Sequence, residues 1–430
     1  MSKKIFFFLS FQYFLFLTFN DLLLKSQQTR FYIYEIVIFS LVCVFCRSRL
    51  WNTFKMQSGV PFLKLLISFM TIGAVYLAFS YNNFFVRYWH LYGLDYNRTY
   101  IPRHFFIVAQ FFISVGLGYS LYVSNFLLAF NKKYVIAIFA ALTLFFVGMN
   151  FSDSSRTYSS FIVLLVSLLS VNNKKLVFLP LLLIPFFIEF SSYTIGLLIL
   201  IFIIFYMGTL SKMLARHGML KVSVFVILVM MVMLAYSTFI SEKIDEDVNS
   251  AWRLVVWTNE IRTLIKTQFT GVGFGTAYVT IDILQQTDNV NMYLKTENGF
   301  SEGIFIIANH NSILNTFYRM GFLGGLSFIF LNLSLLKWFL KVNHAQLPEK
   351  MNRYLWWAMA NYLFNFVITS LNPGLEMLQF SIGYQLSLAI VIYVLLYSSK
   401  IIRMSSKSGK TVEIISPNRQ NVEQLPNSQK

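Results

Sequence analysis

Residues 308–340 read "ANHNSILNTFYRMGFLGGLSFIFLNLSLLKWFL". After the polar opening, the run is longer than the roughly 20 apolar residues needed to cross about 30 Å of hydrocarbon. It therefore predicts a membrane-spanning helix entered from a polar segment. Asn309 or Asn311 can cap such a helix, with His310 at the wet interface between them. An imidazole at that mouth is also a candidate for chemistry near neutral pH.

The whole chain extends this pattern. Hydrophobic residues make up 57%, aromatic residues 18% and charged residues only 12%, a composition that matches a polytopic membrane protein rather than a soluble fold. The 47 Phe and 16 Met suit lipid-facing and helix-packing positions, and two cysteines cannot build a disulfide scaffold. Those two, Cys43 and Cys46, form a C-x-x-C inside the apolar run "LVCVFCRSR". With no further thiolate or histidine pair nearby, they read as helix residues and not as a redox or metal motif.

A net charge of +17 would suggest nucleic acid in a soluble protein. Here its distribution argues against that partner and for a membrane. Apolar stretches begin near positions 5, 31, 62, 105, 134, 158, 176, 194, 222, 312, 354 and 377, about twelve spans in all. Placing Lys3 and Lys4 inside puts "CRSRLWNTFK", "NKK", "NNKK", "SKMLARHGMLK", "KWFLKVNHAQLPEKMNR" and the tail from Lys400 on the same side. Most of the 35 Lys and Arg then face the cytoplasm, and so do both termini. The expected fold is all-α: a polytopic membrane protein of about twelve transmembrane helices, with one long external loop between spans 9 and 10. Residues 1–404 form the single transmembrane domain, the loop covers about 241–311, and 405–430 read as a disordered cytoplasmic tail.

On this topology the outer side carries residues 81–104, the turn "NFSDSSRTYSS" at 150–160 and the long loop, which holds half of the acidic residues. External arginines run against the sidedness trend. Arg156 lies in a tight turn, Arg253 and Arg262 lie on an amphipathic helix "SAWRLVVWTNEIRTLIKT", and Arg319 lies nine residues past His310. Guanidiniums converging on one outer cavity would bind a diphosphate; singly, each could snorkel to lipid headgroups.

Other signals lead elsewhere. "GVGFG", with glycines at 271, 273 and 275, marks a sharp turn but lacks the strand and Lys-Ser/Thr ending of a nucleotide-binding loop. "DED" at Asp245–Asp247 reads as a solvated loop start. His90, His104, His217 and His344 show no metal-ligand spacing with one another or with His310, so no metal site and no cofactor is expected.

Three segments in series carry a family resemblance: "SRTYSSFIVLL", "WRLVVWTNEIRTLIKTQFTGVGFGT" and "HNSILNTFYRMGFLGGLSFIFLNL". They resemble the bacterial O-antigen polymerase and ligase family, whose members typically show an Arg at a span boundary. They also show an Arg-Trp amphipathic helix ending in G-x-G-x-G, and an H-N-x-x-L segment opening a helix with G-x-x-G. Arg262 to Gly273 also fits the Arg-x-ten-Gly pattern of polymerase members. The architecture resembles the C-type glycosyltransferase class. One departure is Arg319, where family sequences often have an acidic residue; a carboxylate, if needed, would come from Glu297 or Glu302.

The resemblance implies glycosyl transfer at the outer face of the bacterial inner membrane from an undecaprenyl-diphosphate-linked oligosaccharide. The acceptor is a second lipid-linked repeat unit, and the polymer is O-antigen or capsule. In that reading His310 is the catalytic base, and Arg156, Arg253 and Arg262 bind the diphosphate. Arg319, Asn311 and Gly273 support the site, and no metal takes part. The resemblance leaves room for a chain-length regulator as a partner. Two alternatives stay open: a ligase that hands the glycan to lipid A-core, and, from another class, a polysaccharide flippase or transporter. Ionisable residues of transporters normally lie near the bilayer midplane, whereas here Glu189 is the main charge inside a span.

Overall fold

The structure, a computed structural model, describes residues 49–57, 59–85, 93–124, 163–164, 167–171, 176, 178, 196–213, 248–280, 304–305, 311–371 and 378–408. Within them the chain is almost entirely helical. Helix α1 is Val60–Tyr81, α2 is Ile101–Ser124, α3 is Gly196–Met213, α4 is Val248–Lys266, α5 is Ser312–Lys341, α6 is Glu349–Leu371 and α7 is Leu378–Ser408. Among the described residues, five helices are long and apolar enough to cross a membrane: α1, α2, α3, α5 and the Gly383–Ser406 part of α7. This is a multi-pass membrane protein. The spans expected near positions 5, 31, 134 and 222, Cys43, Cys46, Asp245–Asp247 and Glu189 lie outside the described residues.

Helix α6 coincides with the span expected from position 354 but is more polar, because Asn352, Asn361, Asn365 and Thr369 interrupt its apolar residues. Helix α7 continues to Ser408, four residues into the stretch expected to be a tail.

The bundle is assembled mainly from α2 against α7, α6 against α7, and α1 against α5 and α2. Lipid is as apolar as leucine, so helices in a bilayer associate through close packing and hydrogen bonds rather than through exclusion of water. Both are present. A methyl at Gly118 would stand 2.6 Å from the Ala389 carbonyl oxygen, so α2 and α7 touch backbone to backbone. Trp357 Nε1 donates to Ser167 Oγ at 2.9 Å, and Asn361 Nδ2 donates to the same hydroxyl at 3.0 Å. Tyr362 and Tyr384 both donate to Asn332 Oδ1, which joins α5, α6 and α7.

Helix α5 begins as the sequence requires: the Asn311 side chain accepts from the Leu314 amide at 3.0 Å as N-cap. Ser312 Oγ, buried, donates to the Thr369 carbonyl near the end of α6. The 30-residue helix is then broken at Gly321, whose φ of 62° and ψ of −165° are non-helical. Phe322 N–H leaves the helix ladder and donates to Phe269 O at 2.8 Å. A methyl at Gly321 would meet that same Phe269 oxygen at 2.5 Å, so both the dihedral and the space exclude a side chain.

Gly93 offers a natural control, because its φ is +66° but nothing lies within 4 Å of an added methyl. Gly93→Ala should cost only the left-handed penalty, about 1 kcal/mol. Gly321→Ala adds a backbone collision and should cost about 2–5 kcal/mol. Thermal unfolding of the two variants in detergent should rank them in that order; equal shifts would contradict the kinked packing.

Candidate functional site

The glycine-rich segment that follows α4 runs into the break in α5. Gly271, Gly273 and Gly275 have φ of 77°, 79° and 84°, values that side-chain-bearing residues rarely adopt. The alternation coils residues 270–278 so tightly that a methyl at Gly271 would lie 2.4 Å from the Gly321 nitrogen. Breaking α5 frees carbonyls that would otherwise accept from the next turn. Tyr318 O accepts from Val272 N and Arg319 O from Gly273 N, each at 2.9 Å.

Every flank of the loop is tied. Phe274 N–H donates to Ser80 Oγ at 2.8 Å, and Gly275 N–H to His104 Nδ1 at 3.0 Å. An antiparallel bridge links Tyr96 and Thr276, with Asn97 N donating to Gly275 O and Ala277 N to Asp95 O. Tyr278 N donates to Ile304 O. The amides of 272–275, 277 and 278 are therefore all consumed by acceptors within the chain. A phosphate cradle needs those N–H groups pointing outward, so the geometry agrees with the absence of a nucleotide loop.

Arg319 closes the arrangement from beneath. It is fully buried, its Nη1 donates to Thr276 O, and its guanidinium carbon lies 4.2 Å from the Tyr278 ring centre and 5.3 Å from that of Tyr318. Tyr318 OH donates to Ala277 O at 2.7 Å. His104 Nδ1 accepts from Gly275, so the single hydrogen of the ring is assigned to Nε2, which faces Phe305 O at 3.3 Å. Arg319 Nη2, 3.2 Å from Nε2, then meets the ring edge without donating to it. Two further charges act on Arg319, those of Glu260 and Arg103, both buried.

The predicted site residues divide into three groups. His310 and Arg156 lie outside the described residues, as do Glu297 and Glu302. Arg253 falls on α4, but its side chain is outside the described part. The rest are placed: Arg262 is exposed on α4, Asn311 caps α5, Gly273 binds the α5 break, and Arg319 is buried under the loop. Arg262 and Arg319 are not brought to one surface. On α4, Val256, Glu260, Thr263, Leu264 and Thr267 face inward, whereas Arg262 stands about 200° around the helix from Glu260.

Sequence reasoning missed Glu260 and His104. The buried carboxylate near Arg319 comes from α4, where it follows Val256 by four residues on the inward face. Its signal was an acidic residue in phase with the apolar positions of an amphipathic helix. His104 could have been noticed as an ionisable residue just inside an apolar span.

A family model described as O-Antigen ligase matches residues 176–329. The match takes in α4, the glycine loop and the first half of α5, so over this third of its length the chain is similar to the O-antigen ligase family. No curated protein and no solved structure matches the chain.

Removing the guanidinium strips a buried carbonyl of its donor and Glu260 of a neighbouring cation. Arg319→Met should cost about 3 kcal/mol, and Arg319→Lys should recover little of it, because an ammonium lacks the planar fork and the stacking face. Denaturation in detergent of Arg319→Met, Glu260→Gln and the double variant should reveal a coupling on the order of 1–3 kcal/mol. Strictly additive losses would contradict the electrostatic coupling between the two groups.

Proposed function

We propose that the chain is a polymerase of surface-polysaccharide repeat units, with O-antigen or capsule as product. It transfers an undecaprenyl-diphosphate-linked glycan to a sugar hydroxyl of another lipid-linked repeat unit at the outer face of the inner membrane. Both termini are cytoplasmic in this reading.

The observation that supports it most is the hydrogen bond from Gly273 N to Arg319 O. Gly273 closes the Arg-x-ten-Gly element and Arg319 belongs to the segment opened by His310 and Asn311, so the two motifs form one folded unit. Asn259, three residues before Arg262, reinforces the link by donating to Tyr278 O at 2.9 Å, and Asn315 Nδ2 approaches Tyr278 OH at 3.4 Å. The family match covers this unit.

In the proposed reaction, His310 accepts the proton of the acceptor hydroxyl as its oxygen attacks C1 of the donor sugar. The bond from C1 to the lipid diphosphate breaks, and the diphosphate leaves with the electron pair. Arg156, Arg253 and Arg262 bind the diphosphate and offset its growing charge, work that fixed cations can do without a metal. Asn311 fixes the start of α5 next to His310, and Arg319 with Gly273 holds the loop that follows Arg262. A chain-length regulator would act beside this machinery.

A second reading, transfer of the finished glycan to lipid A-core, is favoured by the match to a family described as O-Antigen ligase. Gene deletion separates the two: loss of a polymerase leaves single repeat units on core, and loss of a ligase leaves free lipid-linked polymer. With purified protein and defined lipid-linked repeat units, His310→Ala should slow glycan lengthening about 100-fold or more. Normal polymer from a well-expressed variant would overturn the role of His310.

A further inference from the structure

Helix α4 turns a mixed face inward and an apolar stripe outward. Val256 and Leu264 face inward with Glu260, Thr263 and Thr267, whereas Ile261, Ile265 and, just beyond the helix end, Phe269 are 48%, 58% and 50% exposed. Ile261 and Ile265 are one turn apart and form a stripe. Arg262 and Lys266, also exposed, run parallel to it about 100° around the helix. With Arg253, Glu260, Arg262 and Lys266 in 19 residues, α4 is too charged to be a span, and it is not among the membrane-crossing helices.

The stripe does not end with α4. Phe322 N–H donates to Phe269 O, which brings the exposed Phe322 and Leu323 of α5, 52% and 68% accessible, beside Phe269. The same span carries Phe330 and Leu333 outward further along. Exposed apolar residues therefore sit both on a membrane-crossing helix and on the end of α4 that is hydrogen-bonded to it, and a pair of cations borders them on α4.

We propose that α4 lies in the plane of the membrane interface, with Ile261, Ile265 and Phe269 dipped into the acyl boundary, Lys266 on the phosphates of bilayer lipids, and Arg262 at the same level, where a lipid-borne diphosphate also lies. The occupant of this face is phospholipid. Lipid surfaces complement both halves of the pattern: hydrocarbon below for the stripe, phosphate at the level of the cations. The inward face then meets the buried charges of the loop site rather than water. The inference requires only that the chain spans a bilayer, and goes beyond the enzymatic reading.

The test uses full-length protein with Cys43 and Cys46 replaced by Ser and a single Ile265→Cys carrying a bimane fluorophore. It is reconstituted in nanodiscs of phosphatidylethanolamine and phosphatidylglycerol. Ile261→Cys serves as a second position, and both sites are exposed, so neither substitution removes a buried contact. Phospholipid spin-labelled near the headgroup should quench emission at least twofold more than phospholipid labelled at the chain terminus, and aqueous iodide should quench little. Strong quenching by iodide would overturn the proposal by placing the face in water. Protection from both iodide and lipid quenchers would overturn it by showing that protein, from this chain or another copy, covers the stripe.

Discussion

The structure depends on the break in α5 at Gly321. A continuous helix there would have kept the Tyr318 and Arg319 carbonyls in its own ladder; broken, it presents them to the amides of Val272 and Gly273. Unpaired peptide groups are costly where water is scarce, so the break and the loop are each tolerable only because the other exists. Gly271 on one side and Gly321 on the other, both at positive φ, let the two backbones meet with no side chain between them.

Around that contact the molecule places its buried charge. Arg319 is held by a carbonyl and two tyrosine faces, with the charge of the buried Glu260 acting on it, and His104 spends Nδ1 on Gly275. These groups face into the protein. They tie α4, the 95–97 segment, α1 and α2 to a single loop, which makes the start of α5 and the end of α4 parts of one rigid arrangement. In the proposed enzyme, that rigidity holds the surroundings of His310 in a fixed relation to Arg262, and the interfacial seat of α4 sets the level of that relation in the membrane.

Much of the architecture was legible from composition and run length. The long apolar stretches after residues 60, 101, 196 and 311 are helices, and Asn311 caps α5 as its position before the apolar run implied. The break at Gly321 was not legible, because glycine in "RMGFLGG" is equally compatible with a straight, closely packed helix. Arg319 looked like an external cation since only its distance along the chain from His310 was available; its burial follows from a loop 43 residues upstream, at Thr276. The positions expected to offer a carboxylate, Glu297 and Glu302, lie outside the described residues; within them, the buried Glu260 of α4 acts electrostatically on Arg319.

Hydrogen exchange of the backbone amides of Val272, Gly273, Phe274 and Gly275 in the reconstituted protein tests most directly whether this loop is a packed keystone. The account predicts that all four exchange orders of magnitude more slowly than unprotected amides, and together with Phe322. Exchange at unprotected rates at these positions, while the spans remain protected, would contradict it.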